Sequence, residues 1–374
     1  MRQLRLLNIL TVRFGANGIT VFVMNYYRHI DRAAVCADFI VPNPVPARVQ
    51  AEVTKNGGHI YVLPQRNRNP FSYRGAVKKI VSDNHYDIVH AHGNSATLAI
   101  DLLAARDGGA PVRIAHSHNT SCKMKLADRL LRPAFYGSFT HAMACGREAG
   151  EWLFGSRPFT VVQNAIDTAL FSFHAEDRAR VRAELGLDKD AFVLCHVGTF
   201  NAQKNHSFLI RVFARVAKRL PNARLLLIGD GALRDAIELD AYKRKLTDKV
   251  ISIGAVPSTA SYLAAADAFT LPSLHEGLPF TLIEAQASGL PCFVSDVITP
   301  DAFFGDLVTP LPLSASPDAW ADAICSSYGA PDGEAARASA SHAATARILE
   351  RGYDIERNAV ELLKLYRAYT GEPE

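Results

Sequence analysis

The 374-residue chain predicts an α/β protein made of two doubly wound, parallel-sheet domains in series. Three observations carry that. The length exceeds what one ordinary core organises. Short, near-continuous apolar runs alternate with amphipathic stretches of about 10–15 residues, the pattern of strands covered on both faces. The alternation then starts afresh near residue 190.

In the first half, strands are expected at 4–10 (LRLLNIL), 38–42, 60–64, 86–92 (YDIVHAH), 112–118 (VRIAHSH), 141–145 and 160–164. In the second they fall at 191–198 (AFVLCHVG), 223–230 (ARLLLIGD), 250–254, 268–273, 291–295 and 306–312. Residues 171–190 suit a linker with one short helix. The tail carries Val360, Leu362, Leu363, Leu365 and Tyr366 at helical spacing. The expected division is 1–170, 171–350, and a closing helix within 351–374 that packs back toward the first domain.

A 48% hydrophobic and 21% charged content is that of a soluble globular chain. No apolar run approaches the roughly 18 residues of a membrane span, and the start lacks a signal-peptide layout, so a cytoplasmic protein is expected. The six cysteines form no C-x-x-C pair and suit reduced core thiols. Charge is uneven: residues 1–170 hold 20 Lys and Arg against 11 Asp and Glu (+9), the remainder 21 against 26 (−5). A basic first half suits an anionic partner such as a membrane surface, a phosphorylated lipid or a nucleic acid. Uneven chance is the alternative.

Ligands of open α/β sheets bind beyond the carboxyl ends of the strands, and with two such domains the expected site is the cleft between them. The short motifs here follow strands. After 191–198, Gly198 permits a sharp turn and Lys204 arrives before Asn205, a candidate N-cap; a lysine beside free helix N–H groups suits a phosphate. After 223–230, Gly229 and Gly231 allow a close backbone approach to a nucleotide, although the third glycine of a dinucleotide fingerprint is absent. The stretch LPSLHEGLPFTLIEAQASGLP sets Glu276 in a loop and Glu284 eight residues on in a helix. Backbone amides of Gly277, Leu278, Phe280 and Thr281 lead into that helix, with Pro279 among them, and suit a diphosphate. The two acids then suit hydroxyls on either side of it, as in a sugar nucleotide. A spacing that is about 12 Å if wholly helical argues against a glycosidase pair, which needs roughly 5–9.5 Å.

Together, EGLPFTLIE, QKNHSFLI, LLLIGDG, LPSLHEGLP, YDIVHAHGN, RIAHSHN, NGITVFVMNYYRHID and VVQNAIDTALF resemble the family-4 retaining glycosyltransferases of GT-B fold, in their bacterial capsular and exopolysaccharide branch. That resemblance covers nearly the whole chain. It implies that Glu284 bonds the donor ribose, Glu276 the hydroxyls of the transferred sugar, and Lys204 the diphosphate. It implies that His118 faces the transferred sugar, with His116 a weaker substitute. Gly15 and Gly18 would let the first loop approach donor phosphate and acceptor. Thr199 stands where the family commonly has arginine.

The implied reaction moves a hexosyl unit from a nucleoside diphosphate sugar, UDP-linked by preference, with retention. The leaving diphosphate is stabilised by Lys204 and helix amides, so no metal cofactor is expected; Asp188-Lys189-Asp190 follows Leu-Gly-Leu and suits a turn. The acceptor is a saccharide or a polyprenyl-pyrophosphate-linked saccharide. Arg66, Arg68 and Arg74, and the amphipathic run with Lys123, Lys125, Arg129 and Arg132, suit peripheral contact with anionic lipid at the inner face of the cytoplasmic membrane. A solvated helix face over a core stripe is the alternative. No nucleic-acid domain pattern occurs. A sugar-nucleotide epimerase on the same fold, or a non-catalytic sugar-nucleotide-binding subunit, remains the competing function.

Overall fold

Thirteen parallel strands form two sheets in a computed structural model that describes residues 2–15, 17–63, 66, 68–122, 124–328 and 333–372. The first sheet holds β1 (Leu4–Leu10), β2 (Val35–Val41), β3 (Ile60–Val62), β4 (Ile88–Gly93), β5 (Val112–Ser117), β6 (His141–Ala144) and β7 (Thr160–Val161). Their order is β3-β2-β1-β4-β5-β6-β7, reversing direction of growth at β1 and β4. The second holds β8 (Val193–Val197), β9 (Arg224–Ile228), β10 (Val250–Gly254), β11 (Ala268–Leu271), β12 (Cys292–Ser295) and β13 (Val308–Leu311), in the order β10-β9-β8-β11-β12-β13. Each run expected as a strand overlaps one, with β2 starting three residues earlier than expected and β4 ending one residue later. The central strands β4 and β8 have no exposed position because helices cover both faces. Pro310, which cannot donate to a ladder, sits in the edge strand β13.

The chain divides into two units. The first comprises residues 1–165 and 355–374, the second 166–354. The helix Ile355–Thr370 belongs to the first unit, where it packs on the helix Gly18–His29. It buries Ile355, Ala359, Leu362 and Tyr366, whereas Val360, expected on the apolar face, is exposed. The core of the first unit gathers Leu7, Ile9, Val89, Leu102, Phe135 and Phe154. That of the second gathers Leu194, Phe200, Phe213, Leu227 and Trp320. All six cysteines are unpaired. Among the described residues no helix is long and apolar enough to cross a membrane.

Candidate active site

In the second unit, the loops after β8 and β11 meet at the carboxyl edge of the sheet. Leu274 N–H donates to the Gln203 carbonyl at 2.8 Å and Gln203 Nε2 to the His275 carbonyl at 2.9 Å. This zip brings Lys204 Nζ to 2.7 Å from Glu276 Oε1, with side chains only 14% and 9% exposed. Gln203 Nε2 reaches the other oxygen, Oε2, at 3.4 Å. The cation and the acid expected to serve different parts of a ligand are therefore paired with each other.

Asn205 occupies the N-cap position of the helix His206–Arg219 in a left-handed conformation (φ 55°), and its side chain makes no capping bond. The expected cap is thus not its role. Asparagine tolerates that conformation, and the side chain that bonds the loop is instead Asn201, whose Oδ1 accepts from Lys204 N–H at 3.1 Å. Beneath Lys204, burial pushes His206 down to about 4, with the lysine charge adding to it.

Gly229 and Gly231 make their close approach to this unit's own backbone. A Cβ at Gly229 (φ 140°) would lie 2.0 Å from the Gly198 carbonyl oxygen, and one at Gly231 would lie 2.6 Å from that of Phe200. The β9 loop is pressed against the β8 loop, and that contact requires glycine. At Gly198 a Cβ would crowd the Lys204 stem at 3.1 Å, whereas Gly277 has open space around it.

The helix Phe280–Ala287 starts after Pro279, with no side-chain cap and no acid in its first turn. Its amino end is a ready anion site, reached through Gly277 and Leu278, with Phe280 and Thr281 in its first turn. Glu284, one turn on, is buried; its Oε2 accepts from Thr259 Oγ1 at 3.1 Å, and burial pushes its carboxyl up to about 7.

In the first unit, β4 and β5 carry His90, His92 and His116 on one face, since alternate strand positions share a side, and His118 follows one residue past the end of β5. His118 Nε2 lies 3.1 Å from His92 Nδ1, and His92 Nε2 lies 3.2 Å from Asn8 Oδ1. In parallel, Tyr366 Oη lies 2.8 Å from His90 Nδ1, and His90 Nε2 lies 3.0 Å from His116 Nδ1. The two chains stack, with His118 over His116 at 4.2 Å and His90 over His92 at 4.1 Å. Burial holds all four rings neutral, His90 and His118 at about 3. Ring nitrogens of His90, His92 and His116 lie within 4.8 Å of one another. A tetrahedral zinc ion needs its nitrogens roughly 3.4 Å apart; His116 Nε2 has no hydrogen-bond partner among the described residues, but both nitrogens of His90 and of His92 are engaged and would have to surrender a bond to hold one. Gly15 and Gly18 lie in the loop and helix start beside β1, where Asn17 Oδ1 caps the helix Gly18–His29 by accepting from Thr20 N–H at 3.1 Å.

The basic residues of this unit divide by what they touch. Arg66 is ion-paired with the buried Asp101 and also bonds the Thr97 carbonyl and Oγ1. Arg132 bonds Asp128 at 2.9 Å and Tyr136 Oη at 3.0 Å, with Trp152 under its guanidinium. Arg74 pairs with Asp107. These three are already matched within the unit, which removes them from an open basic surface. Arg68, Lys125 and Arg129 are exposed; Lys125 and Arg129 directly precede Leu126 (73% exposed) and Leu130 (70%), and Arg68 lies three residues before Phe71 (86%). Lys123 lies outside the described residues.

Asn8, His90, His92 and Tyr366 are not among the site residues that the motifs single out. The signal was present in HAH and HSH, whose spacing of two puts three rings on one sheet face and His118 just past it.

Solved structures share this architecture. Anabaena HepE, crystallised with UDP and glucose, matches 96% of this chain and 98% of its own with a TM-score of 0.76 at 16% identity. WaaG, described as a glycosyltransferase of lipopolysaccharide biosynthesis, matches 97% and 99% with a TM-score of 0.71 at 15% identity. The fold is that of the GT-B glycosyltransferases. Sequence narrows the class: residues 177–332 match Glycosyl transferases group 1 and residues 16–170 match Glycosyltransferase Family 4. EpsF of Bacillus subtilis (strain 168), also assigned to the glycosyltransferases, is 34% identical across 98% of this chain and 97% of its own. An Escherichia coli UDP-Gal:alpha-D-GlcNAc-diphosphoundecaprenol alpha-1,3-galactosyltransferase is 28% identical over 59% of this chain and 60% of its own. The chain belongs to glycosyltransferase family 4 and is an enzyme of sugar transfer.

Proposed function

We propose that this glycosyltransferase moves a hexosyl unit from a UDP-sugar, with retention and without a metal, to a saccharide or lipid-linked saccharide in surface polysaccharide biosynthesis. The observation that carries the donor reading is the Lys204–Glu276 pair beside an uncapped helix start. A diphosphate is a doubly matched competitor for that place: it satisfies the ammonium and the helix amides together, which Glu276 does not. Once displaced, Glu276 is free to accept from hydroxyls of the transferred sugar, while Glu284 accepts from the ribose. Charge developing on the leaving diphosphate meets donors already in place. His118 of the first unit meets a hydroxyl of the transferred sugar.

The choice of UDP and of a lipid-linked acceptor is supported by what the similar proteins are named for. Peripheral contact with anionic lipid is supported by exposed Phe71, Leu126 and Leu130 beside Arg68, Lys125 and Arg129.

The deciding experiment is thermal stabilisation by UDP, GDP, ADP and their sugars, followed by NMR of the product's anomeric configuration with and without EDTA. Stabilisation by the UDP series, a retained configuration and EDTA-insensitive turnover are expected. No stabilisation by any nucleotide, or inversion, or turnover abolished by EDTA, each removes the matching part of the proposal.

A further inference from the structure

We propose that Asn8 and His92 are positioning residues for His118: they hold its imidazole with the proton on Nε2, leaving Nδ1 as a hydrogen-bond acceptor for a hydroxyl of the transferred sugar. This rests on the reading of His118 as a sugar-contacting residue.

The inference follows from which atoms can donate. The Asn8 carbonyl oxygen only accepts, so His92 must carry its proton on Nε2 to fill the 3.2 Å contact. A neutral imidazole has one N–H, so His92 Nδ1 is then a lone pair. The 3.1 Å contact from that lone pair to His118 Nε2 requires a proton on the His118 side. His118 Nδ1 is thereby left unprotonated, and it makes no hydrogen bond to the described residues. Neutrality of His92 is essential and burial supplies it: the ring is 1% exposed and its basicity is pushed well down. The ring of His118 is also fixed in orientation, stacked on His116 and met edge-on by Phe22 at 4.9 Å.

The neighbouring chain lacks this logic. It ends on the Tyr366 hydroxyl, which can donate or accept, so His90 and His116 are free to carry their protons either way. Of the two chains, only the one ending on an amide oxygen dictates a tautomer, and it is the one that leads to the half-buried His118.

The test is nitrogen NMR of the full-length chain with labelled histidine, which distinguishes the two neutral tautomers directly. Wild type is expected to show His118 protonated on Nε2 at neutral pH. In Asn8→Asp the introduced carboxylate draws a second proton onto His92, whose Nδ1 then donates; His118 must move its proton to Nδ1, and kcat/KM for the donor sugar falls about tenfold. In Asn8→Leu, which removes the acceptor at similar size, two sets of His118 signals are expected. A wild-type His118 protonated on Nδ1, an unchanged tautomer in both variants, a switched tautomer with normal turnover, or a stoichiometric divalent metal on these rings would each overturn the inference. His118→Ala separates the two layers: normal transfer in that variant removes the sugar-contact reading itself, whatever the tautomer.

Discussion

Two ion pairs, one in each unit, are almost equally hidden from water and do opposite work. Arg66 and Asp101 in the first unit are both saturated: the guanidinium also holds Thr97, and Asp101 Oδ1 accepts from Tyr73 Oη at 2.7 Å. Among the described residues, the Lys204 ammonium and Glu276 carboxylate have only Gln203 as a further side-chain hydrogen-bond partner, and Glu276 lies four residues before a helix with no side-chain cap. A buried charge whose partners are all spoken for is held in place by the cost of exposing it. A pair with unfilled neighbours can be exchanged for a ligand. Depth of burial does not separate the two cases; the remaining hydrogen-bond partners do.

That contrast can be broken by substitution. Asp101→Ala leaves Arg66 without its counter-ion and the Tyr73 hydroxyl without its acceptor, and we expect a loss of about 3–5 kcal/mol in chemical denaturation. Nucleotide binding to the surviving folded fraction should be unchanged. Lys204→Met reverses the pattern: about 100-fold weaker UDP-sugar binding by calorimetry, with stability moved far less. Equal stability losses in the two variants would abolish the distinction. Glu276→Gln sharpens it, because removal of the competing carboxylate should leave UDP binding as tight or tighter while sugar transfer falls.

Glu284 offers a third case, a buried carboxyl with no cation. Its folded value of about 7 lies above the ordinary carboxylate range, so the folded chain keeps a proton that the unfolded chain has lost. Stability from this group is complete at pH below about 4.5 and is lost as pH rises through about 7. Glu284→Gln should therefore match wild type near pH 5 and be more stable near pH 8, by on the order of 2 kcal/mol. A parallel pair of melting curves across that range would contradict the assignment. The smallest effect on folding is expected from Leu126→Ser with Leu130→Ser: within about 0.5 kcal/mol, since both side chains are already in water. The same double variant should lose flotation with anionic vesicles; undiminished flotation would end the membrane reading.

The strands were legible because central runs are apolar on both faces and bounded by turn residues, as LLLI in β9 and AFTL in β11 show. β7 shrank to Thr160–Val161 because it lies at the sheet edge, where one partner strand and half the burial are missing. Lys204, Glu276 and Glu284 stand out in the sequence because each follows a strand, on the side where open α/β sheets bind ligands. The contact between Lys204 and Glu276 does not, since they are 72 residues apart and pairing depends on how two loops zip. The same limit hid Arg66 from its acid 35 residues on, and His92 from Asn8 84 residues back. Gly229 and Gly231 looked like ligand-facing glycines because sequence shows that a backbone comes close, not whose backbone it is.

The path of the chain also bears on how the molecule comes to exist. A ribosome releases every residue of the second unit before the helix Ile355–Thr370, which belongs to the first. The later unit can therefore complete its core first, while the earlier one waits with His90 lacking the Tyr366 hydroxyl. A chain released after residue 354 would carry a finished second unit joined to an unfinished, histidine-lined first one, and it is the latter that a chaperone or protease would meet.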